Sequence, residues 1–354
     1  MSRDPRLAAG DPHASLHAIS SGEDLTAAEA EALFSQVMEG GVSETLIAAL
    51  LAALATKGET EEEITGAARV MRAHVERVPS SRSPLLDTCG TGGDFSGSFN
   101  VSTAAAFVVA AAGVPVAKHG NRAASSRCGS ADVLEELGVV IDLPPDRVGR
   151  AIDEVGIGFL YAPRFHPAMR HAIGARREIR IRTVFNLLGP LTNPAGAGRQ
   201  VIGVPSADAV VRIAAVLREL GAEAAVVVHG LEGLDEISVC GPTRIATLRR
   251  GELEEGVISP QDLGLPTFPA GDLAGGDVAE NARILRAVLA GEGSEAQRAV
   301  VAANAGAGIW IGGSAPDLRA GVERARETRA SGRAGALLED FAELTRRLAA
   351  EAPA

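Results

Sequence analysis

Two glycine-rich polar loops, each preceded by an apolar run typical of a buried strand, constrain the fold of this chain most strongly. In chain order these runs and loops are Pro84–Leu86, Asp87–Asp94, Val114–Ala117 and Lys118–Ser126. The stretch between the two pairs, Ser102–Ala112, has the pattern of a helix. A strand, a glycine loop, a helix and a second strand in this order predict a parallel α/β sheet that binds an anion such as phosphate at the carboxyl ends of its strands.

Strand-like and helical runs alternate beyond this segment, which predicts a mostly parallel, buried sheet. The predicted strands are Val139–Ile141, Ile157–Tyr161, Val201–Val204 and Ala224–Val228. Two further runs, Arg244–Leu248 and Glu252–Val257, predict an antiparallel hairpin. The predicted C-terminal helices are Asp277–Ala290, Glu295–Ala305, Pro316–Arg329 and Ala334–Leu348. We therefore expect an α/β domain over residues 84–354.

The residues before this domain predict a small all-helical unit. Capping boxes at Thr26–Glu29 and Thr60–Glu63 begin helices, and no strand pattern occurs between residues 16 and 80. Residues 1–15 have no period, and we expect them to be a flexible extension. A helical segment inside the α/β region, within residues 165–190, is expected to pack onto the helical unit.

Composition argues against several classes of function. The net charge of −11 disfavours nucleic-acid binding, which needs a basic surface. No apolar run reaches the roughly 20 residues of a membrane span, and the N-terminus lacks a signal-peptide core. The three cysteines, Cys89, Cys128 and Cys240, are scattered without metal-ligand spacing, as is typical of a reduced cytoplasmic protein. We therefore expect a cytoplasmic protein with neither nucleic acid nor a membrane as partner.

The use of lysine singles out one position. Lys57 and Lys118 are the only lysines among the 34 lysine and arginine residues. Lys118 stands between a strand and a Gly-Asn turn, which favours a site that needs a compact ammonium group rather than the planar fork of arginine. Chance placement is the alternative, and we accept it for Lys57, which lies in a turn after a helix.

Side chains that suit a phosphorylated ligand follow the first loop. Hydroxyls and one amide surround the start of the predicted helix, at Ser98, Asn100, Ser102 and Thr103. Such groups donate to phosphate oxygens or hold Mg²⁺. Asp94 would repel phosphate, so we expect it to accept from a sugar hydroxyl or to help place a metal ion; a helix cap is the alternative.

Two further groups extend this predicted site. Asp235 and Glu236 follow the strand Ala224–Val228, and their carboxylates suit Mg²⁺ carried by a diphosphate, although a solvated acidic turn has the same sequence. Arg176 ends the inserted helix, where a guanidinium either binds a carboxylate or complements the helix end, and composition does not decide between the two. Phe185–Pro194 is rich in turn-forming residues, and we interpret it as structural.

Together these motifs resemble the anthranilate phosphoribosyltransferase family in type, order and spacing. They are Gly-Thr-Gly-Gly-Asp (90–94), Asn-Val-Ser-Thr (100–103), Lys-His-Gly-Asn-Arg (118–122), Phe-Asn-Leu-Leu-Gly-Pro-Leu-Thr-Asn-Pro (185–194) and Gly-Leu-Asp-Glu (233–236). The resemblance runs from about His17 to Phe341. It implies a homodimer with a small helical domain hinged to a larger α/β domain. It also implies Mg²⁺-dependent transfer of phosphoribose from phosphoribosyl pyrophosphate (PRPP) to the amino group of anthranilate, in tryptophan biosynthesis.

The resemblance implies roles for individual residues. The expected PRPP contacts are Gly90, Gly93, Asp94, Ser98, Asn100, Ser102, Thr103, Lys118, Ser126 and Ser130. The expected anthranilate contacts are Gly90, His119, Asn121 and Arg176, and the expected Mg²⁺ ligands are Ser102, Asp235 and Glu236. Lys118 and Asp94 are the expected catalytic residues. No general base is assigned, because the aniline nitrogen of anthranilate is largely neutral at pH 7.

Two alternatives remain. A pyrimidine nucleoside phosphorylase shares the two-domain plan, but the Lys118–Arg122 run and the adjacent carboxylates of Asp235 and Glu236 disfavour it. A non-enzymatic relative that binds nucleic acid would be basic, unlike this chain. The sequence also departs from the family pattern at Arg180, where a glycine is usual, and this change could perturb the turn that supports Arg176.

Overall fold

The computed structural model describes residues 3–92, 96–123 and 127–352. Its N-terminal part is helical, with α1 (Pro5–Ala8), α2 (Pro12–Ser20), α3 (Ala27–Met38), α4 (Glu44–Lys57) and α5 (Glu61–Ala73). Both predicted capping boxes are present, at the starts of α3 and α5. The expectation of a flexible extension over residues 1–15 is wrong for the described part, because Asp4 and Asp11 cap α1 and α2 and Leu7 is buried in the core.

A sheet of seven strands lies at the centre of the described α/β part. Its strands are β1 (Leu86–Gly90), β2 (Val116–Gly120), β3 (Ile157–Tyr161), β4 (Arg199–Gly203), β5 (Ala224–Gly230), β6 (Thr243–Arg249) and β7 (Glu252–Ile258). The spatial order is β3-β2-β1-β4-β5-β6-β7, with β1 to β5 parallel and β6 and β7 antiparallel, as predicted. The strand order reverses between β1 and β4, so the loops after these strands open a crevice at the carboxyl edge of the sheet.

Most of the remaining secondary structure of the described chain is α-helical. The helices are α6 (Val101–Ala111), α7 (Ser130–Glu136), α8 (Pro145–Val155), α9 (Ala162–Phe165), α10 (Arg170–Ile179), α11 (Val184–Leu191), α12 (Ala207–Glu219), α13 (Val278–Leu289), α14 (Glu295–Ile311), α15 (Leu318–Ala330) and α16 (Arg333–Ala350). The segment interpreted as a turn, Phe185–Pro194, is therefore mostly the helix α11, which contains Pro190 near its end. The predicted strand Val139–Ile141 is not formed; its backbone is held instead by Thr345 of α16, which accepts from the Val140 amide at 3.1 Å.

The two faces of the sheet belong to two hydrophobic clusters. Val226 and Val228 of β5 point into one cluster, which includes α6 and α13–α16, whereas Ala225 and Val227 point into the other. The second cluster contains α12 and is continuous with the core of α2–α5. Ala175 of α10 and residues of α11 belong to it as well. The N-terminal helices therefore pack on the α12 side of the sheet, together with α10 and α11.

Candidate active site

Polar side chains lie within the two strands that lead to the crevice. Asp87 of β1 is fully buried and accepts from the His119 backbone amide at 3.0 Å and from Asn193 Nδ2 at 2.8 Å. Because these polar groups are satisfied inside the sheet, they do not end the strands. The predicted boundaries are corrected accordingly: Lys118, expected to begin a loop, is the middle residue of β2.

The ammonium group of Lys118 is buried beneath the start of α6. Its Nζ donates to the Thr88 carbonyl at 2.6 Å and to Ser102 Oγ at 3.4 Å. Burial lowers the pKa of Lys118, and the nearby carboxylates of Asp87 and Glu236 act in the opposite direction. A positive charge with so little water around it interacts strongly with any anion that enters the crevice.

The start of α6 leaves polar atoms for a ligand. The side chain of Asn100, the N-cap residue, makes no capping hydrogen bond. The Oδ1 of Asn100 and the fully buried Oγ1 of Thr103 have no hydrogen-bond partner among the described residues. The Ser102 amide donates to Glu236 Oε1 at 3.0 Å. The helix start predicted to bind phosphate therefore meets the acidic loop predicted to bind Mg²⁺.

Two glycines at the strand ends make room for that acidic loop. Gly90 of β1 pairs in register with Gly203 of β4. A Cβ atom on Gly90 would lie 2.7 Å from Asp235 Oδ2, and one on Gly203 would overlap the Asp235 carbonyl oxygen. No sequence motif identifies Gly203, because only the strand pairing places it beside Gly90 and Asp235.

The side chains present fit Mg²⁺. Within the described ranges, no three histidine, cysteine, aspartate or glutamate side chains form a cluster that could enclose a metal ion. Ser102 and Glu236 are adjacent, and Asp235 lies against the end of β1. These are hard oxygen donors, and Mg²⁺ is commonly held by one or two carboxylates, with phosphate oxygens and water as its remaining ligands.

The second loop leads from β2 to α7, and the start of α7 packs against the end of β2. Ser130 Oγ donates to the Asn121 carbonyl at 3.3 Å, and a Cβ atom on Gly120 would overlap Ser130 Oγ. Asp132 holds the loop on both sides, because its Oδ2 accepts from the amides of Ala123 and Gly129, each at 2.9 Å. The structure thus brings Asn121 and Ser130 to the end of the strand that carries Lys118.

Two buried histidines face each other beside the crevice. His119 Nδ1 lies 3.0 Å from the Gly189 carbonyl, and the Nε2 atoms of His119 and His166 are 3.2 Å apart. A carbonyl can only accept, so Nδ1 of the neutral His119 ring carries the proton, and Nε2 accepts from His166. Burial lowers the pKa of His119 to about 3 and that of His166 to about 4. Both rings are therefore neutral near pH 7.

Arg176 of α10 packs over α11, the helix that also contains Gly189. Its guanidinium is 5.3 Å from the centre of the Phe185 ring, and burial lowers the pKa of Arg176. Arg176 and His119 therefore both contact α11, Arg176 at the Phe185 ring and His119 at the Gly189 carbonyl. A desolvated guanidinium stacked on an aromatic ring is well placed to bind a carboxylate. Arg180, at the end of α10, has a φ of 50°, the left-handed conformation for which the usual glycine is suited.

Comparison with known proteins gives the family. Residues 82–335 match the glycosyl transferase family a/b domain, and residues 14–75 match the glycosyl transferase family helical bundle domain. The chain is 54% identical over 334 residues to an anthranilate phosphoribosyltransferase of Rubrobacter xylanophilus, which covers 94% of this chain and 97% of the relative. The chain belongs to the anthranilate phosphoribosyltransferase family.

Solved structures of anthranilate phosphoribosyltransferases have the same fold. That of Thermus thermophilus is 48% identical, with a TM-score of 0.89 over 94% of this chain and 99% of the other. That of Saccharomyces cerevisiae in complex with PRPP and Mg is 28% identical, with a TM-score of 0.80 over 97% of this chain and 94% of the other. The family resemblance and the predicted combination of a helical part with a mostly parallel α/β part are confirmed.

Gly93, Asp94 and Ser126, all predicted to contact PRPP, lie outside the described residues. Ser98 forms an isolated antiparallel β-bridge with Ala274. Arg182, which no sequence motif identifies, donates from Nη1 to the Gly92 carbonyl and so connects the segment before α11 to the first glycine loop. None of the helices in the described ranges has the length and apolar character needed to cross a membrane.

Proposed function

We propose that the protein transfers phosphoribose from PRPP to the amino group of anthranilate, giving N-(5-phosphoribosyl)anthranilate and pyrophosphate in tryptophan biosynthesis. The carrying observation is that Lys118, the start of α6 and the carboxylate of Glu236 meet at the strand-order reversal of the sheet. The ammonium group and the helix start suit a diphosphate, and the carboxylate suits a divalent cation, in agreement with the predicted PRPP and metal contacts. The membership of the chain in this family supports the same reaction.

One half of the site, formed by Lys118, the start of α6 and the expected Mg²⁺ ligands, stabilises the leaving pyrophosphate. Positive charge develops on the ribose as the bond to pyrophosphate breaks, and negative charge accumulates on the leaving group. Lys118 and the backbone amides at the start of α6 stabilise that negative charge from fixed positions. Ser102, Asp235 and Glu236 would hold Mg²⁺, which would supply Lewis-acid neutralisation of the diphosphate. We assign Asp94 to the ribose or metal side of this half.

The acceptor half of the site positions anthranilate. The carboxylate of anthranilate would bind the guanidinium of Arg176, and Asn121 and His119 would line the pocket beside it. A neutral His119 cannot transfer a proton to the amine of anthranilate near pH 7. The lone pair of the amine nitrogen therefore remains available for attack. The nitrogen then needs orientation more than deprotonation, and no general base is required.

The remaining properties of the protein follow from the same family resemblance. We propose a homodimer that works in the cytoplasm, with a helical domain over residues 16–80 hinged to an α/β domain over residues 84–354. The net charge of −11 supports a role without nucleic acid.

The decisive experiment is a fluorescence assay. With Mg²⁺ and PRPP, the purified protein should consume anthranilate, seen as loss of its fluorescence. Release of base from thymidine in the presence of phosphate, with no anthranilate consumed, would instead identify a pyrimidine nucleoside phosphorylase. For the metal, Asp235→Asn/Glu236→Gln should raise the Mg²⁺ concentration needed for half-maximal rate. An unchanged Mg²⁺ dependence would place the metal elsewhere.

A further inference from the structure

A surface cleft outside the crevice carries three arginines. It lies between the first turns of α14, the last turns of α15 and residues 264–266, and its volume is about 130 Å³. Arg298, Arg326 and Arg329 line it, and Glu295 is the acidic side chain among its described lining. A water molecule occupies roughly 30 Å³ in the liquid, so the cleft has room for a small polyatomic anion. None of these residues belongs to the site assigned to PRPP or anthranilate.

The positive charges at this cleft are incompletely paired. Arg326 forms an ion pair with Glu323 at 3.1 Å. Arg329 Nη1 donates to the Gly291 carbonyl at 3.2 Å, but its buried Nε has no hydrogen-bond partner among the described residues. The side chain of Arg298 enters no hydrogen bond or ion pair in the described part of the chain. Burial lowers the pKa of Arg329, and the charges of Arg298 and Arg326 lower it further.

Helix stability accounts for only part of this arrangement. Arg329 lies in the last turn of α15, where a cation complements the helix dipole and holds the Gly291 carbonyl. That role leaves the buried Nε atom unsatisfied, and it does not explain why Arg298 of a neighbouring helix adds a like charge. Three guanidiniums around one cleft repel each other, in a chain whose net charge is −11. An anion in the cleft would remove that repulsion.

We propose that this cleft binds a phosphate group, either inorganic phosphate or a phosphate monoester. Phosphate oxygens match the planar fork of arginine bidentately, and the guanidinium of Arg298, which lines the cleft, has no partner there to compete with such a pair. This second anion site is independent of the proposed reaction.

Titration calorimetry of the full chain with inorganic phosphate tests the proposal. Phosphate can also enter the crevice, so the wild type should show two classes of site. Arg298→Gln/Arg329→Gln should lose one class, with affinity at the cleft at least about tenfold weaker, since each charge-assisted hydrogen bond is strong. The matched control Arg283→Gln/Arg286→Gln removes two exposed charges on α13 and should retain both classes. Equal phosphate binding by the two double variants would overturn the proposal.

A second measurement does not depend on the variants folding. Selenate, a tetrahedral dianion with an anomalous X-ray signal, soaked into crystals of the wild type should give a peak within hydrogen-bonding distance of Arg298 and Arg329. A crystal with selenate bound only in the crevice would contradict the proposal. Repeating the calorimetry with glycerol 2-phosphate separates the two sources: tighter binding than inorganic phosphate identifies a monoester as the ligand, and weaker binding identifies free phosphate.

Discussion

The ammonium group of Lys118 is a compact donor that lies between the Thr88 carbonyl and Ser102 Oγ. Lys118→Arg retains the charge but replaces the point donor with a wider planar group in a fully packed position. We expect the turnover number to fall on the order of a hundredfold, the usual loss for one displaced electrostatic donor. The rate of anthranilate fluorescence loss measures it.

The other lysine supplies the control for this substitution. Lys57 forms ion pairs with Asp24 and Glu63 in the N-terminal helical part. Lys57→Arg should therefore leave the turnover number within about twofold, because a guanidinium can also bridge two carboxylates. If Lys118→Arg retains full turnover as well, the role given to the ammonium group is wrong.

The paired histidines make stability depend on pH. The ordinary pKa of histidine is 6.5, whereas it is about 3 for His119 and about 4 for His166. Between pH 6.5 and 4 the unfolded chain binds more protons than the folded chain, so the free energy of unfolding falls as the pH falls. From pH 6.5 to pH 5, each histidine should contribute a loss of roughly 2 kcal/mol.

Urea unfolding at these two pH values checks this prediction. His166→Gln should reduce the pH-dependent loss by about half, because it removes one of the two depressed groups. The exposed His13 provides the matched control, and His13→Gln should retain the wild-type slope. If the free energy of unfolding of His166→Gln depends on pH as steeply as that of the control, the pair of His119 and His166 is not the source of the pH dependence.

The sequence predicts those site residues whose chemistry is unusual for their local context. Lys118, the hydroxyls around Ser102 and the adjacent carboxylates of Asp235 and Glu236 could all be recognised in this way. Gly203, Arg182 and His166 could not, because each is defined by a contact across the fold: strand register for Gly203, a loop carbonyl for Arg182 and a second ring for His166. Such contacts appear only once the topology is known.

At the scale of elements, Asp132 connects α7 to the second glycine loop. Its carboxylate accepts from Ala123 and Gly129, which bracket the loop, and pairs with Arg122 at 3.0 Å. Asp132→Asn keeps the size of the side chain but replaces one acceptor oxygen by a donor and removes the charge. We expect the KM for PRPP to rise about tenfold, with a smaller effect on the turnover number, as the amides of Ala123 and Gly129 lose the acceptor that they share.

Steady-state kinetics with varied PRPP separate this positioning role from general damage. Asp340→Asn, at an exposed position of α16, is the control and should leave KM unchanged. A loss of turnover number in Asp132→Asn with an unaltered KM would argue against a positioning role. Equal unfolding curves for the two variants would show that the effect is local.

Periodic, apolar elements are also those that the sequence predicts well. Ile157–Tyr161 has the predicted bounds, and the hairpin of β6 and β7 is found where its turn signal lies. The strands β1 and β2 extend beyond their predicted ends, because the polar Asp87 and Lys118 are buried and hydrogen-bonded there. The segment of α11 has turn-forming residues, including Pro190, but it is helical because its packing outweighs its local turn propensity.

At the scale of the whole molecule, Arg72 joins the N-terminal helices to the α/β part. From α5 its Nε donates to the Leu191 carbonyl at 2.7 Å, and its Nη1 donates to the Leu220 carbonyl at 3.0 Å. These carbonyls lie at the ends of α11 and α12, where a cation is favoured by both helix dipoles. Burial lowers the pKa of Arg72, and both of its hydrogen bonds are partly buried.

Removing this link should destabilise the molecule as a whole, because α2–α5 share one hydrophobic cluster with α12. Arg72→Gln loses both charge-assisted hydrogen bonds, and we expect the free energy of unfolding to fall by about 2 to 4 kcal/mol in a single transition. Urea denaturation followed by circular dichroism measures it. Arg69→Gln, which removes only an exposed pair with Glu31 at 3.9 Å, should change the value by less than about 0.5 kcal/mol. Two separate transitions in wild-type protein would show instead that the helical part unfolds independently of the sheet.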